Sequence, residues 1–518
     1  MNRVATGIPG LDQVLMGGFN RGNAILVEGT PGAGKTNLGL QVVYAGATLH
    51  DEPGLIVTFE QFSHQMIRDA ESLGWDLQAL VDSGKVRIIP TSPAVFQQEM
   101  AGSDGLIADI VREMGAQRIV IDSVSHFARL YGDDAERREA VVAEHPATCK
   151  PYADYRDMLA ADDIDAVIIG TLPHWHALMA IDACEAGKDL YIQKPMTLHL
   201  GESLAVRNAV KRHDRISQVG TQIHASENYR RVVELIRSGN LGKVGVVRTF
   251  HVMNQMPDGL GHSTDNTPPK GFDWDMWCGP AELGAYNSIL VQNAYNHSSW
   301  MAYSGGWTPG MAPHIIDLPI WALELGYPSE ITSAGGRYMV EDDGDAYDTH
   351  DVLWRYTPDG LTPGAAVPKN GLTMQWWTSL TNSYGFDLHG DPEPRRRLGI
   401  YFHGSNGTLY SDYGMHETRP EGTRMDGLTT PEPSIPPSPG HEREWLDCIR
   451  TRKQPSCCVD YHVKLDVPVV LSLLSLKLGR TIRFDPKTEQ IVDDKKAAKE
   501  AIPEYRDPWK FPKEYLRA

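Results

Sequence analysis

The eight residues Gly29-Thr30-Pro31-Gly32-Ala33-Gly34-Lys35-Thr36 constrain this chain most, because they satisfy GxxxxGK[ST] between an apolar run at 24–28 and a helical pattern after Lys35. Glycines let such a loop curl until its N–H groups point inward at phosphate oxygens, and the following helix adds its positive N-terminal end. In that setting Lys35 contacts the β- and γ-phosphates and Thr36 holds magnesium. A strand-loop-helix of this kind belongs to an α/β fold with a buried parallel sheet.

The pattern around the loop agrees. Strands are expected at 24–28, 55–59, 86–90 and 118–122, with helices after Lys35, over 66–80 and around 107–114. The run Arg118-Ile119-Val120-Ile121-Asp122-Ser123 ends an apolar strand on an acid, the form of a strand whose carboxylate orders a metal-bound water. Asp122 is therefore the second candidate for magnesium.

With the opening Thr6-Gly7-Ile8-Pro9-Gly10-Leu11-Asp12 and Gly17-Gly18-Phe19, these motifs resemble the KaiC-like branch of the RecA-fold ATPases over about residues 4–130. The resemblance implies ATP with magnesium, and it nominates Glu60, in Phe59-Glu60-Gln61, to polarise the attacking water. An acid at a helix start for dipole reasons is the other reading of Glu60. The pattern of a RecA-type core does not continue after Ser125.

Composition changes near that point. All six cysteines and every tryptophan except Trp75 lie beyond residue 148. A second α/β run follows, with helices over 155–161, 175–186 and 204–213 and strands over 166–170 and 190–193. Longer strands at 244–252, 351–356 and 372–378 then point to a mixed sheet, and prolines at 431, 433, 436, 437 and 439 keep 418–440 in loops. The acidic run at 341–345 reads as a solvated turn rather than a metal site.

The back piece carries Ile168-Ile169-Gly170-Thr171, Pro173-His174-Trp175-His176 and Ile192-Gln193-Lys194-Pro195, and from about residue 135 to the end it resembles the Gfo/Idh/MocA oxidoreductases. The resemblance implies a Rossmann domain, an open mixed-sheet domain, NAD or NADP, and a sugar, inositol or related polyol as substrate. It places Thr171, Pro173, His174 and Gln193 at the cofactor. Lys194 orients and helps deprotonate the substrate hydroxyl, and His314, in Gly310-Met311-Ala312-Pro313-His314-Ile315-Ile316-Asp317, acts as acid/base. A turn lysine before proline and a satisfied core histidine are the plainer readings of these two. Asp317 orients a neighbour or, more simply, caps a helix over 318–325.

The chain departs from that family in three ways. Gln193 stands where a glutamate is common, Gly310 where an aspartate is frequent, and no GxGxxG precedes residue 150. The acid for the adenosine ribose is Asp133 or Asp134, or is absent.

The expectation is thus three segments: a partial RecA-like P-loop domain over 1–130, an incomplete Rossmann-type parallel sheet over 131–245, and an α+β domain with an open mixed β-sheet over 246–518. The function expected is a polyol oxidoreductase behind an ATP-binding segment, the alternative being an ATP-binding module with an impaired dehydrogenase passenger. A net charge of -18 argues against a nucleic-acid partner or an anionic membrane. No apolar run reaches the roughly 20 residues that span a bilayer, so the chain reads as cytoplasmic. The cysteines lack zinc or CxxC spacing, and no structural metal is expected. The family resemblance also implies a homo-oligomer.

Overall fold

In the computed structural model the first strands to pair in parallel are β3 (Gly54–Thr58), β4 (Val86–Pro90) and β5 (Arg118–Asp122), in the order β4-β3-β5. The described residues are 3–8, 10–23, 25, 27, 35–59, 63–91, 96, 106–122, 150–293, 295–361, 366–382 and 397–517. The strand expected at 24–28 lies largely outside them. They fall into two compact units, Met1–Pro151 and Tyr152–Ala518.

In the first unit β3 is buried throughout, as the central strand of a parallel sheet must be. Its alternating side chains feed two cores: Ile56 joins Leu40, Val43 and Met66 on one face, and Leu55 and Val57 join Ile107 on the other. Before the sheet come β1 (Arg3–Val4), α1 (Leu11–Val14), β2 (Phe19–Asn20) and α2 (Lys35–Leu49). The single helix expected over 66–80 is two, α3 (Ser63–Ser72) and α4 (Leu77–Asp82). Gly74, at φ 83, breaks it, and the Asp76 carboxylate restarts it by accepting from Ala79 N at 3.0 Å. Helix α5 (Leu106–Glu113) leads into β5.

The second unit begins with α6 (Tyr155–Leu159), β6 (Ala166–Ile169), α7 (Pro173–Glu185), β7 (Asp189–Ile192), α8 (Leu200–Arg212) and β8 (Ser217–Val219). Its three strands are parallel in the order β6-β7-β8. A 3-10 turn (Gln222–Ala225) and α9 (Glu227–Arg237) lead to β9 (Val244–Val252). Three short helices follow, α10 (Trp274–Cys278), α11 (Ser288–Gln292) and α12 (Met301–Ser304), then the long α13 (Trp307–Leu323).

The remaining strands are β10 (Glu330–Gly336), β11 (Thr349–Tyr356), β12 (Leu372–Ser379), β13 (Leu398–Gly404), β14 (Gly407–Ser411) and β15 (His416–Pro420). Helices α14 (His441–Thr451) and α15 (Val459–Leu478) and strands β16 (Ile482–Asp485) and β17 (Gln490–Ile491) follow. They build an open nine-stranded sheet, β15-β14-β13-β9-β12-β11-β10-β16-β17, antiparallel except where β12 runs parallel to β9. The fold is thus mixed α/β, with parallel sheets and one open mixed sheet.

Alternation along β11 and β12 puts Val352, Trp354, Tyr356, Met374 and Trp376 on one face, and α13 and α15 contribute to the same core. That core also holds Ile181, Val206 and Val219 from around the parallel sheet. In the acidic run Glu341, Asp343 and Asp345 are exposed, as expected of a solvated turn, while the side chain of Asp342 turns inward and accepts from Leu260 N at 2.8 Å, Gly344 N at 2.7 Å and Arg337. Asp343 takes His262 at 2.8 Å and Ser263 N at 2.7 Å. Among the described residues no helix is long and apolar enough to cross a membrane.

Candidate functional site

In the first unit, Lys35 and Thr36 open α2, and the Thr36 hydroxyl donates to Asp122 Oδ2 at 2.8 Å. Asp122 ends β5 in register with Thr58 at the end of β3, and Asp122 O accepts from Phe59 N at 2.8 Å. The two side chains nominated for magnesium therefore meet although 86 residues separate them. A hydroxyl and a carboxylate are the hard oxygen donors that magnesium takes.

The approach depends on glycine: a Cβ at Gly39 would stand 2.8 Å from Val120 Cγ1, so α2 lies close on β5. Arg118 locks the far end of β5, donating to Glu52 at 2.6 and 2.8 Å and to the carbonyls of Ala5 and Val42 at 2.8 Å. Gly29, Thr30, Pro31, Gly32, Ala33, Gly34 and Glu60 lie outside the described residues, as do Asp133 and Asp134.

In the second unit the C-terminal ends of β6 and β7 converge, the place where parallel α/β sheets bind ligands. Thr171 follows β6 and is exposed. Gln193, Lys194 and Pro195 follow β7, with a cis Lys194-Pro195 bond. His176, on α7, clamps the two ends, its Nδ1 2.7 Å from Pro195 O and its Nε2 2.9 Å from Thr171 O. Gln193 Oε1 accepts from Lys194 N at 2.8 Å, and a Cβ at Gly220 would stand 2.8 Å from that oxygen. An exposed hydroxyl and an exposed amide thus stand at neighbouring strand ends.

Pro173 is the first residue of α7, where its fixed φ suits the helix start. His174 does not face the strand ends. Its ring nitrogens lie 3.4 Å from Tyr303 O and 3.1 Å from Trp277 O, and burial pushes its pKa down to about 4. The ring packs against Trp277 and Tyr303, so this candidate for cofactor binding is a packing residue.

Lys194 Nζ donates to Gly310 O at 3.0 Å, and burial pulls its pKa down to about 8. His314 lies one helical turn beyond Gly310 on α13, hence on the same face. Its Nδ1 is buried without a hydrogen-bond partner, and burial, reinforced by the charge of Lys194, holds it well below the usual histidine range. Tyr413 presents its ring edgewise at 6.3 Å.

His251, on β9, senses Lys194 too: burial, then the charges of Arg397 and Lys194, takes it to about 4. It stacks on Trp307 at 6.2 Å and meets Thr378 Oγ1 at 3.3 Å. The structure thus brings a desolvated amine and a neutral imidazole to one face of α13, a pair able to hold a substrate hydroxyl and take its proton. Neither His251 nor Tyr413 carries a signal in the sequence.

Asp317 is not a cap. It lies inside α13 with no exposed surface, and its Oδ1 accepts from Tyr461 OH at 2.5 Å and His224 Nε2 at 3.1 Å.

Family models match both parts of the chain: ATPase, KaiC, over residues 4–143, and the Oxidoreductase family, NAD-binding Rossmann fold (Gfo/Idh/MocA), over residues 110–221. The chain joins a KaiC-like ATPase segment to a Gfo/Idh/MocA oxidoreductase segment. The two matches overlap over 110–143. The circadian clock oscillator protein KaiC of Thermostichus vulcanus is 40% identical over 137 residues, 25% of this chain and 26% of that protein. Its counterpart from Picosynechococcus is 42% identical over 137 residues, 25% of this chain and 27% of that protein. The chain thus spans about a quarter of the length of the curated relatives it matches.

Among solved structures, the WlbA dehydrogenase of Bordetella pertussis in complex with NADH and UDP-GlcNAcA aligns over 84% of this chain and 99% of its own, with a TM-score of 0.47 and 14% identity. A levoglucosan dehydrogenase in complex with NADH and levoglucosan aligns over 83% and 99%, with a TM-score of 0.41 and 16% identity. Lys35, Thr36 and Asp122 lie within the KaiC match and Thr171, Pro173, His174, Gln193 and Lys194 within the oxidoreductase match, whereas His314 lies beyond it.

Proposed function

We propose that the back segment is an NAD(P)-dependent oxidoreductase acting on a CH–OH carbon of a sugar, inositol or related polyol, behind a segment that binds ATP with magnesium. The observation that carries the first part is Lys194, whose ammonium sits desolvated against Gly310 O beside His314, with a pKa of about 8. An amine so tuned accepts a proton near neutral pH, where an ordinary lysine does not.

The dinucleotide, when bound, supplies the hydride acceptor. Thr171 and Gln193 would hold its nicotinamide half. Lys194 takes the hydroxyl proton of the substrate while its bond to Gly310 O fixes the amine. His314, neutral at physiological pH, hydrogen-bonds the reacting oxygen without adding charge.

The Thr36–Asp122 contact supports a second activity, with Lys35 on the phosphates and Thr36 and Asp122 on the metal. Binding is the part these residues support. Hydrolysis further requires Glu60.

Separate titrations with ATP–magnesium and with NAD(H) test the reading, together with a polyol oxidation assay. Lys35→Ala is expected to lose ATP and keep NAD(H). Lys194→Ala should keep NAD(H) while turnover falls by about 10²- to 10⁴-fold. Retained ATP binding with no NAD(H) binding in the wild-type chain would overturn the oxidoreductase reading and leave the ATP-binding module.

A further inference from the structure

We propose that His224, Asp317 and Cys457 form a buried site for a divalent cation of the zinc class, built on different residues from the Lys194–His314 pair although Asp317 follows His314 by three residues on α13. The three come from separate elements of the second unit: the 3-10 turn after β8, the third turn of α13, and the segment just before α15. One ligand atom from each lies within 4.8 Å of the others, and the residues are 6%, 0% and 0% exposed. Tetrahedral zinc, with bonds of about 2.0–2.3 Å, needs only a modest contraction of that triangle.

Charge makes the case for a cation. Asp317 has no exposed surface, its Oδ1 is shared by His224 and Tyr461, and its Oδ2 is buried without a hydrogen-bond partner. Burying a carboxylate on such terms is strongly unfavourable unless a positive charge compensates it. His224 Nε2 lies 3.1 Å from Asp317 Oδ1, so the imidazole already faces the carboxylate at the point where a cation would sit. His462, on the first turn of α15, is fully buried with both ring nitrogens unpartnered, and it lies within the electrostatic reach of Asp317 and His224. Packing of apolar groups would not gather these side chains at one point.

The donor set selects the ion. One imidazole, one carboxylate and one thiol suit zinc or cobalt and are too soft for calcium or magnesium. The ligands are also held in place. The His224 ring stacks on Trp321 at 4.0 Å and meets the edge of Tyr461 at 4.9 Å, and the Cys457 thiol donates to Thr221 O at 3.3 Å and accepts from Ser456 Oγ at 4.0 Å. Tyr461, bonded to the same Asp317 oxygen, orients the carboxylate. The ion would tie together α13, the 3-10 turn and the segment that leads into α15.

The test uses the full chain, purified without chelator and supplied with zinc. Metal analysis is expected to find a stoichiometric zinc in the wild type and in Cys458→Ser, and at least about tenfold weaker retention in His224→Gln, Asp317→Asn and Cys457→Ser. Replacing zinc by cobalt should give a near-ultraviolet thiolate-to-cobalt charge-transfer band that Cys457→Ser abolishes. Far-ultraviolet circular dichroism separates loss of metal from loss of fold, and the wild-type spectrum alone reports whether a thiolate is bound. Absence of stoichiometric zinc in the supplied wild type, or a band that survives Cys457→Ser, overturns the proposal. Since the readout is metal content, it is independent of any polyol oxidation.

Discussion

At the scale of single residues, Lys194 sets the pH dependence of the proposed oxidation. It accepts a proton only when neutral, and burial places that transition at about 8. The polyol-oxidation kcat/KM should therefore rise with pH from 6 and level off above about pH 8, whereas an unshifted lysine would keep rising to about 10.4. Lys194→Arg keeps the charge and cannot lose its proton in this range, so it should abolish the rise along with most of the rate. A pH profile of wild type and variant checks both. Lys194 and His314 were legible because each lies within a short motif. His251 and Tyr413 were not, since β9 and the turn after β14 reach the site only through the sheet order. That His176 rather than His174 meets the strand ends has a simple cause: residues two apart on a helix face different sides, and the motif does not say which side is inward.

At the scale of elements, β3, β4 and β5 were legible because buried parallel strands are apolar runs, whereas the short polar β8, Ser217-Gln218-Val219, was not expected. Helix α13 was the least legible. It is buried on nearly every side and contains Pro313 and Pro319, so neither amphipathic periodicity nor propensity marks its start at Trp307. In the first unit the packing of α2 on β5 yields a sharper prediction. A Cβ at Gly46 would stand 2.4 Å from Cδ and Nε of Arg118, whose side chain is 3% exposed and is fixed by Glu52 and two carbonyls. Gly46→Ala should thus cost the first unit about 3–5 kcal/mol as the ion pair breaks. Gly39→Ala meets only a methyl of Val120 at 2.8 Å and should cost about 1–3 kcal/mol. Hydrogen exchange of the β3 amides under denaturant, which reports on this unit alone, ranks the two variants.

At the scale of the whole molecule, the chain consists of two compact units, each with its own core and its own candidate nucleotide-site residues. A ligand that binds only a folded unit stabilises that unit, by about 2.7 kcal/mol at a hundredfold excess over its Kd. Calorimetry should accordingly resolve two transitions, with the larger enthalpy belonging to the longer unit, Tyr152–Ala518, because unfolding enthalpy scales with length. NADH should raise the larger transition and leave the smaller in place, and ATP with magnesium should do the reverse. Lys35→Ala should cancel the ATP shift without touching the NADH shift. A single transition displaced equally by either nucleotide would mean that the units unfold as one, and neither ligand could then be assigned to its unit by stability. A larger transition indifferent to NADH, beside a smaller one that responds to ATP, would confine nucleotide binding to the KaiC-like segment. The two shifts, read in one experiment, therefore separate a chain with two working nucleotide sites from one whose back segment has kept the fold and lost the cofactor.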